Sequence, residues 1–108
     1  MRINRKLFAI LIVPVVISGV FVPMTSAQAA AIHGDYGATG VFIRYGPYLN
    51  ATRLGEGFPG QGATIYCQIT GDSVHGDNIW ILNRDNATGV TGYSADYYMN
   101  WCCILEVC

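Results

Sequence analysis

Twelve glycines fall between Gly34 and Gly92, and their spacing decides what this chain can fold into. A glycine in a helix interior costs about 1 kcal/mol, so a helix of ordinary length would collect several such losses. Between the glycines lie short runs rich in β-branched and aromatic residues, which is the pattern of a small all-β fold. In Ala63 to Ile69 the period is two: Ala63, Ile65, Cys67 and Ile69 share one face, which predicts a strand with Cys67 turned to the core. Gly40 to Arg44 sets Val41 and Ile43 against Phe42, and Ile79 to Leu82 is a nearly continuous apolar run that suits a strand covered on both sides.

Turn chemistry fills the gaps. Tyr45-Gly46-Pro47, residues 55–62, residues 71–78 and residues 84–89 combine Gly, Pro, Asp, Asn and Ser in the manner of connectors. The last of these joins the Trp80 strand to a final Val90 to Ser94 strand as a hairpin. Four or five such strands make one compact barrel or sandwich, with no second domain, linker or repeat.

The N-terminus reads as an export signal. Arg2, Arg5 and Lys6 precede the apolar run Leu7 to Pro23, and small residues follow with A-x-A sites at Ala27-Gln28-Ala29 and Ala29-Ala30-Ala31. Cleavage is expected after Ala29. A retained membrane helix fits less well, because the run is short, is interrupted by Pro14 and is closed by Pro23. No Cys stands just after the cleavage point, so lipid anchoring is not expected. The predicted product is secreted, extracellular or associated with the cell wall.

From Ala30 onward three arginines, Arg44, Arg53 and Arg84, face seven acids, a formal charge of 3 − 7 = −4. That balance argues against nucleic acid, whose affinity comes largely from Lys and Arg on phosphates. A mature chain of 108 − 29 = 79 residues buries a modest core, and disulfides often supplement cores of that size. Cys67, Cys102, Cys103 and Cys108 therefore read as a disulfide framework. Pairing the adjacent Cys102 and Cys103 would require a vicinal ring, so the expectation is Cys67 joined to Cys102 or Cys103. Zinc ligation by the cysteines with His33 and His75 lacks the usual spacing, and no metal is expected.

Four stretches carry a resemblance. They are Gly40-Val41-Phe42-Ile43-Arg44-Tyr45-Gly46-Pro47, the glycine-spaced loop leading into Ala63 to Cys67, the run Cys67 to Val74 followed by Asn78-Ile79-Trp80, and Gly92-Tyr93-Ser94-Ala95-Asp96-Tyr97-Tyr98-Met99. In order and spacing they resemble a bacterial SH3 (SH3b) domain of the small secreted actinobacterial type, with Arg44, Gly46, Pro47, Trp80, Gly92, Tyr93 and Tyr98 as the motif residues. Gly46 would supply a φ that other residues resist, and Pro47 would fix the exit from the first strand. Ser94 departs from the family's usual Val, and residues 100–108 replace its polar tail. The resemblance implies an SH3-like barrel of about five short strands over 40–99. It follows a signal peptide at 1–29 and a flexible N-terminal segment at 30–39, and precedes a Cys-rich C-terminal tail at 100–108.

No catalytic constellation accompanies this frame. Cys67 with His75 would suggest a thiol nucleophile and base, but a core-facing Cys with disulfide partners is better read as structural. Asp72, Asp77, Asn78, Asp85 and Asn86 lack calcium-loop spacing and read as turn residues. Asn50-Ala51-Thr52 and Asn86-Ala87-Thr88 match the N-glycosylation acceptor pattern and are expected in surface loops. The expectation is a protein that is not an enzyme, binds no cofactor and is monomeric. Trp80, Tyr93 and Tyr98 are read as core; Tyr45, Tyr48 and Tyr97 are the candidate ligand-binding residues, since exposed rings with hydroxyls suit sugar or peptide surfaces. Related domains serve as wall-targeting units, so the resemblance implies a stand-alone module that contacts peptidoglycan or another extracellular polymer. The alternative is a disulfide-stabilised effector or inhibitor that engages a partner protein through Trp101, Ile104, Leu105 and Val107.

Overall fold

The computed structural model describes residues 31–108, so the expected signal segment 1–29 lies outside the described residues. Among the described residues the strands are β1 Ile32–Tyr36, β2 Val41–Arg44, β3 Arg53–Gly57, β4 Ala63–Val74, β5 Asp77–Asp85, β6 Thr91–Ala95 and β7 Met99–Asn100, with a 3-10 turn at Asp96–Tyr98. They form one sheet in the order β3-β2-β6-β5-β4-β1-β7, antiparallel throughout and curled into a half-barrel. The all-β expectation is correct, with seven strands among the described residues where about five were expected.

The additional strands come from segments without a strong apolar signature. Residues 30–39, expected to be flexible, contain β1: Gly34 and Tyr36 are buried on one face, and a glycine at an inward position conceals the alternation. β3 runs into the stretch expected as a connector, 55–62. It is the edge strand, paired only to β2, and its Gly57 backs directly onto the Tyr36 ring. The long 71–78 connector is replaced by a β4–β5 hairpin whose turn is His75-Gly76, both with positive φ, 51° and 86°. That is the signature of a two-residue I′ turn, which matches the twist of its flanking strands.

β4 carries the main correction. Its register against β5 shifts between Ile65 and Cys67, so Tyr66 is an extra residue and the faces exchange beyond it. Ala63 and Ile65 remain inward, whereas Cys67 and Ile69 pair with Leu82 and Trp80 on the outer face. Cys67 is therefore half-buried and outward, not in the core.

The sheet has two apolar sides. Inside lie Tyr36, Val41, Ile43, Ala63, Ile65, Ile81, Met99 and Leu105; outside lie Val74, Trp80 and Ala95, with Ile69, Tyr93 and Tyr98 packed around them. The inner side also holds a polar chain. Tyr36 Oη donates to Asn83 Oδ1 at 2.7 Å, Asn83 Nδ2 donates to Ser94 Oγ at 3.1 Å, and Ser94 Oγ donates to the Phe42 carbonyl at 3.0 Å. Ser94, where the family resemblance calls for Val, is thus fully buried and hydrogen-bonded between two strands. Burial, then the charges of Asp85 and Asp35, hold the Tyr36 phenol well above its ordinary range, so it stays a donor.

The C-terminal segment folds back over the inner core. Leu105 is buried there, Gln68 Nε2 donates to its carbonyl at 2.6 Å, and the Gln68 backbone pairs with Glu106 and Cys108. This places Cys108, rather than Cys102 or Cys103, beside Cys67. The bridges are Cys67–Cys108, with a sequence separation of 41, and the vicinal Cys102–Cys103, which corrects the expected pairing. The bulge at Tyr66 and the parallel bridge Gln68 to Val107 are the causes, and neither has a periodic signal in the sequence.

Candidate binding site

On the outer face the side chains do not fill the space. A cavity of about 380 Å³ opens between the β1–β2 turn, the outward residues of β2, the loop 45–52 and the 3-10 turn. Its walls include Phe42, Arg44, Leu49, Val74, Trp80, Ala95 and Tyr98. The strand walls follow from alternation and pairing: Val41 and Ile43 are buried inward, so Phe42 and Arg44 must point outward, and Trp80 pairs with Ala95 across β5 and β6.

Within the loop 45–52, the Pro47 to Leu49 stretch is held by Asp72. Asp72 donates its backbone N–H to the Pro47 carbonyl at 3.0 Å, accepts the Leu49 N–H on Oδ2 at 2.9 Å, and accepts Trp80 Nε1–H on its carbonyl at 2.8 Å. The neighbouring Gly71 permits this approach, since a Cβ there would collide with the Pro47 carbonyl. Gly46 does not have a positive φ, contrary to its expected role; it lies against the Tyr48 ring instead.

Positive charge gathers at one wall. Arg53 lies 4.2 Å and Arg44 5.2 Å from the Phe42 ring centroid, and Arg44 Nη1 donates to the Ala51 carbonyl at 3.0 Å. Burial, then the charge of Arg53, lowers the Arg44 pKa from its ordinary value. Two of the three arginines from residue 30 onward, Arg44 and Arg53, thus flank this opening, in a stretch that is otherwise acidic.

Behind the lining residue Tyr98 stands an aromatic cluster. Tyr97 stacks on His75 with centroids 4.7 Å apart and meets Tyr98 edge-on at 5.0 Å. Next to Tyr97 in the chain, Asp96 accepts Trp101 Nε1–H at 2.6 Å, and burial followed by the neighbouring Asp77 raises its carboxyl pKa.

None of the expected ligand-binding residues lines the cavity: Tyr97 only touches the lining residue Tyr98, and Tyr48 is an exposed neighbour of Leu49. Tyr45 is 77% exposed and is not a lining residue. Tyr98 and Trp80, read as core, are cavity walls as well. Phe42, Leu49, Val74 and Asp72 were not singled out for the site. The outward position of Phe42 was legible in its alternation with Val41 and Ile43.

The remaining motif residues are structural. Pro47 is buried against β4, a Cβ on Gly92 would strike the Arg44 carbonyl, and Tyr93 pairs with Arg44. Cys67 is bridged and carries no thiol for His75 to activate. Asp77 and Asp85 accept the N–H groups of Ile79 and Ala87, the turn duty expected of them. Asn50 and Asn86 are exposed. Among the described residues no three His, Cys, Asp or Glu side chains gather as a metal site.

The chain matches no family model, no curated protein and no solved structure.

Proposed function

We propose that this protein is an exported, stand-alone SH3-like binding module whose outer cavity takes a segment of an extracellular polymer, with cell-wall peptidoglycan the first candidate. The observation that carries the reading is the cavity itself. It is open, walled by Trp80, Phe42, Leu49 and Tyr98, and bordered by Arg44 and Arg53. Apolar walls with a few placed polar groups are the usual make-up of a ligand site. An aromatic and cationic lining suits a chain that alternates apolar or sugar surfaces with carboxylates, and peptidoglycan offers both.

The test is co-sedimentation of the mature, oxidised protein with purified sacculi. Binding that survives washing and drops at least tenfold in Arg44→Gln or Leu49→Ser supports the reading. A folded protein that stays in the supernatant overturns it.

The second reading, a secreted effector or inhibitor that docks on a partner protein, is favoured by one observation. Ile104 is 87% and Val107 75% exposed on the same tail. Of the four residues expected to form the docking patch, Leu105 is buried and Trp101 half-buried, so Ile104 and Val107 are the ones left to meet a partner.

A further inference from the structure

The two disulfides differ in what the fold asks of them. Cys67–Cys108 ties the chain end to β4 across 41 positions. Cys102–Cys103 joins neighbours, so it closes no chain loop and takes almost nothing from the entropy of the unfolded chain. Its presence therefore needs another reason than stability.

The tail is held on both sides of that ring without its help. Ahead of it, Trp101 Nε1–H is fixed on Asp96 Oδ1; beyond it, the buried Leu105 presents its carbonyl to Gln68 Nε2, and Glu106 and Cys108 pair with the Gln68 backbone. Between these anchors Cys102, Cys103 and Ile104 stand out in solvent. Cys103 is also held at φ 92°, a region that residues with a Cβ avoid, and opening the ring would free it to leave.

We infer that Cys102–Cys103 is a thiol–disulfide exchange site, an oxidising centre for accessible thiols on extracellular molecules. Exchange needs an approach path for a thiolate to a disulfide sulfur, and here both cysteines of the pair are exposed residues. At the structural bridge Cys108 is exposed as well, but Cys67 is half-buried, and the pairing of Glu106 and Cys108 with the Gln68 backbone holds the two cysteines together. In the first step an incoming thiolate bonds to Sγ of Cys102, the Cys102–Cys103 bond breaks, and Cys103 leaves as a thiolate that takes up the proton given up by the attacking thiol. A second thiol then loses its proton to Cys102 and attacks the substrate sulfur of the mixed disulfide, releasing the substrate as a disulfide. Two thiols together lose two electrons, Cys102 and Cys103 together gain two, and each chain makes one substrate disulfide. The partner class is a pair of exposed thiols, and the inference is independent of wall binding.

Reduced glutathione is the probe. The oxidised mature protein is incubated with a few equivalents, quenched by alkylation and peptide-mapped, while oxidised glutathione is counted. The expected result is close to one oxidised glutathione per chain, label on Cys102 and Cys103 at least tenfold faster than on Cys67 and Cys108, and an unchanged melting temperature. The double variant Cys102→Ser/Cys103→Ser, which keeps every tail anchor, should fold and oxidise none. Glutathione left reduced, label appearing first or equally on Cys67 and Cys108, or undiminished oxidation by the double variant would each overturn the assignment.

Discussion

The two faces of the half-barrel are built to opposite ends. The inner face is filled: Tyr36, Ile43, Ala63, Ile65 and Ile81 are fully buried, Leu105 returns from the tail to cover them, and the polar groups of Tyr36, Asn83 and Ser94 partner one another. The outer face has Trp80 at its centre but leaves a cavity beside it, roofed by a loop that hangs on Asp72. The same strands supply both faces, residue by residue. Stability is therefore concentrated on one side of a sheet whose other side is free to serve a ligand, and substitutions on the two sides should separate folding from binding.

The largest effect is expected where the inner lid is fastened. Cys67→Ser with Cys108→Ser releases a loop of about 40 residues and should cost about 4 kcal/mol in the chain-entropy model, read from denaturant unfolding. If that variant unfolds at the wild-type midpoint, the tail does not need its bridge to hold Leu105 in place. Next, Ile81→Ala should cost about 3 kcal/mol by leaving a void in the sealed core, while the fraction that remains folded still pellets with sacculi. Tyr36→Phe strips Asn83 Oδ1 of its donor and should cost about 2 kcal/mol, with no change in wall binding.

On the outer face the order inverts. Leu49→Ser, at a half-exposed cavity wall, should move stability by no more than about 0.5 kcal/mol and yet lower binding at least tenfold. Equal losses of stability and binding at Leu49 would mean that the two faces are not separable.

Acid titration gives the smallest and most local contrast. Asp35 accepts the N–H groups of Gly60, Tyr36 and Gly62, which together hold its carboxyl below the ordinary 3.8. Its stabilisation is complete above that value and is lost as pH falls through the lowered pKa. Asp96 behaves in reverse. Burial and Asp77 raise its pKa, so the folded state keeps the proton longer than the unfolded chain, and stability falls as pH rises from 3.8 through the raised value. Asp35→Asn should remove the acid-side loss and Asp96→Asn the fall above it; melting curves measured across that range would distinguish them.

The strong signals in the sequence map onto the structure. The glycine spacing excludes helices, and the apolar alternation at Val41–Ile43 and Ala63–Ile65 marks inner strands. What could not be read is what tertiary contact decides. One inserted residue at Tyr66 reverses the sense of Cys67 to Thr70, up to a second shift before Val74, and with it the partner of Cys67. β1 and β3 are held by backbone pairing and by close packing onto glycines, which leaves little apolar pattern to detect. The cavity was half legible: Arg44, Trp80 and Tyr98 were singled out as motif residues, but that they share a wall with Leu49 depends on hydrogen bonds to Asp72 from a loop 23 positions away.

The most direct measurement is a titration of the labelled mature protein with soluble peptidoglycan fragments, followed residue by residue by NMR. Trp80 Nε1–H reports from the cavity wall, while the Asn83 side-chain amide reports from the sealed face. The account predicts saturable shifts at Phe42, Arg44, Leu49, Trp80 Nε1–H and Tyr98, with the Asn83 amide unmoved. Shifts confined to Ile104 and Val107, or a folded protein in which nothing moves, would contradict it.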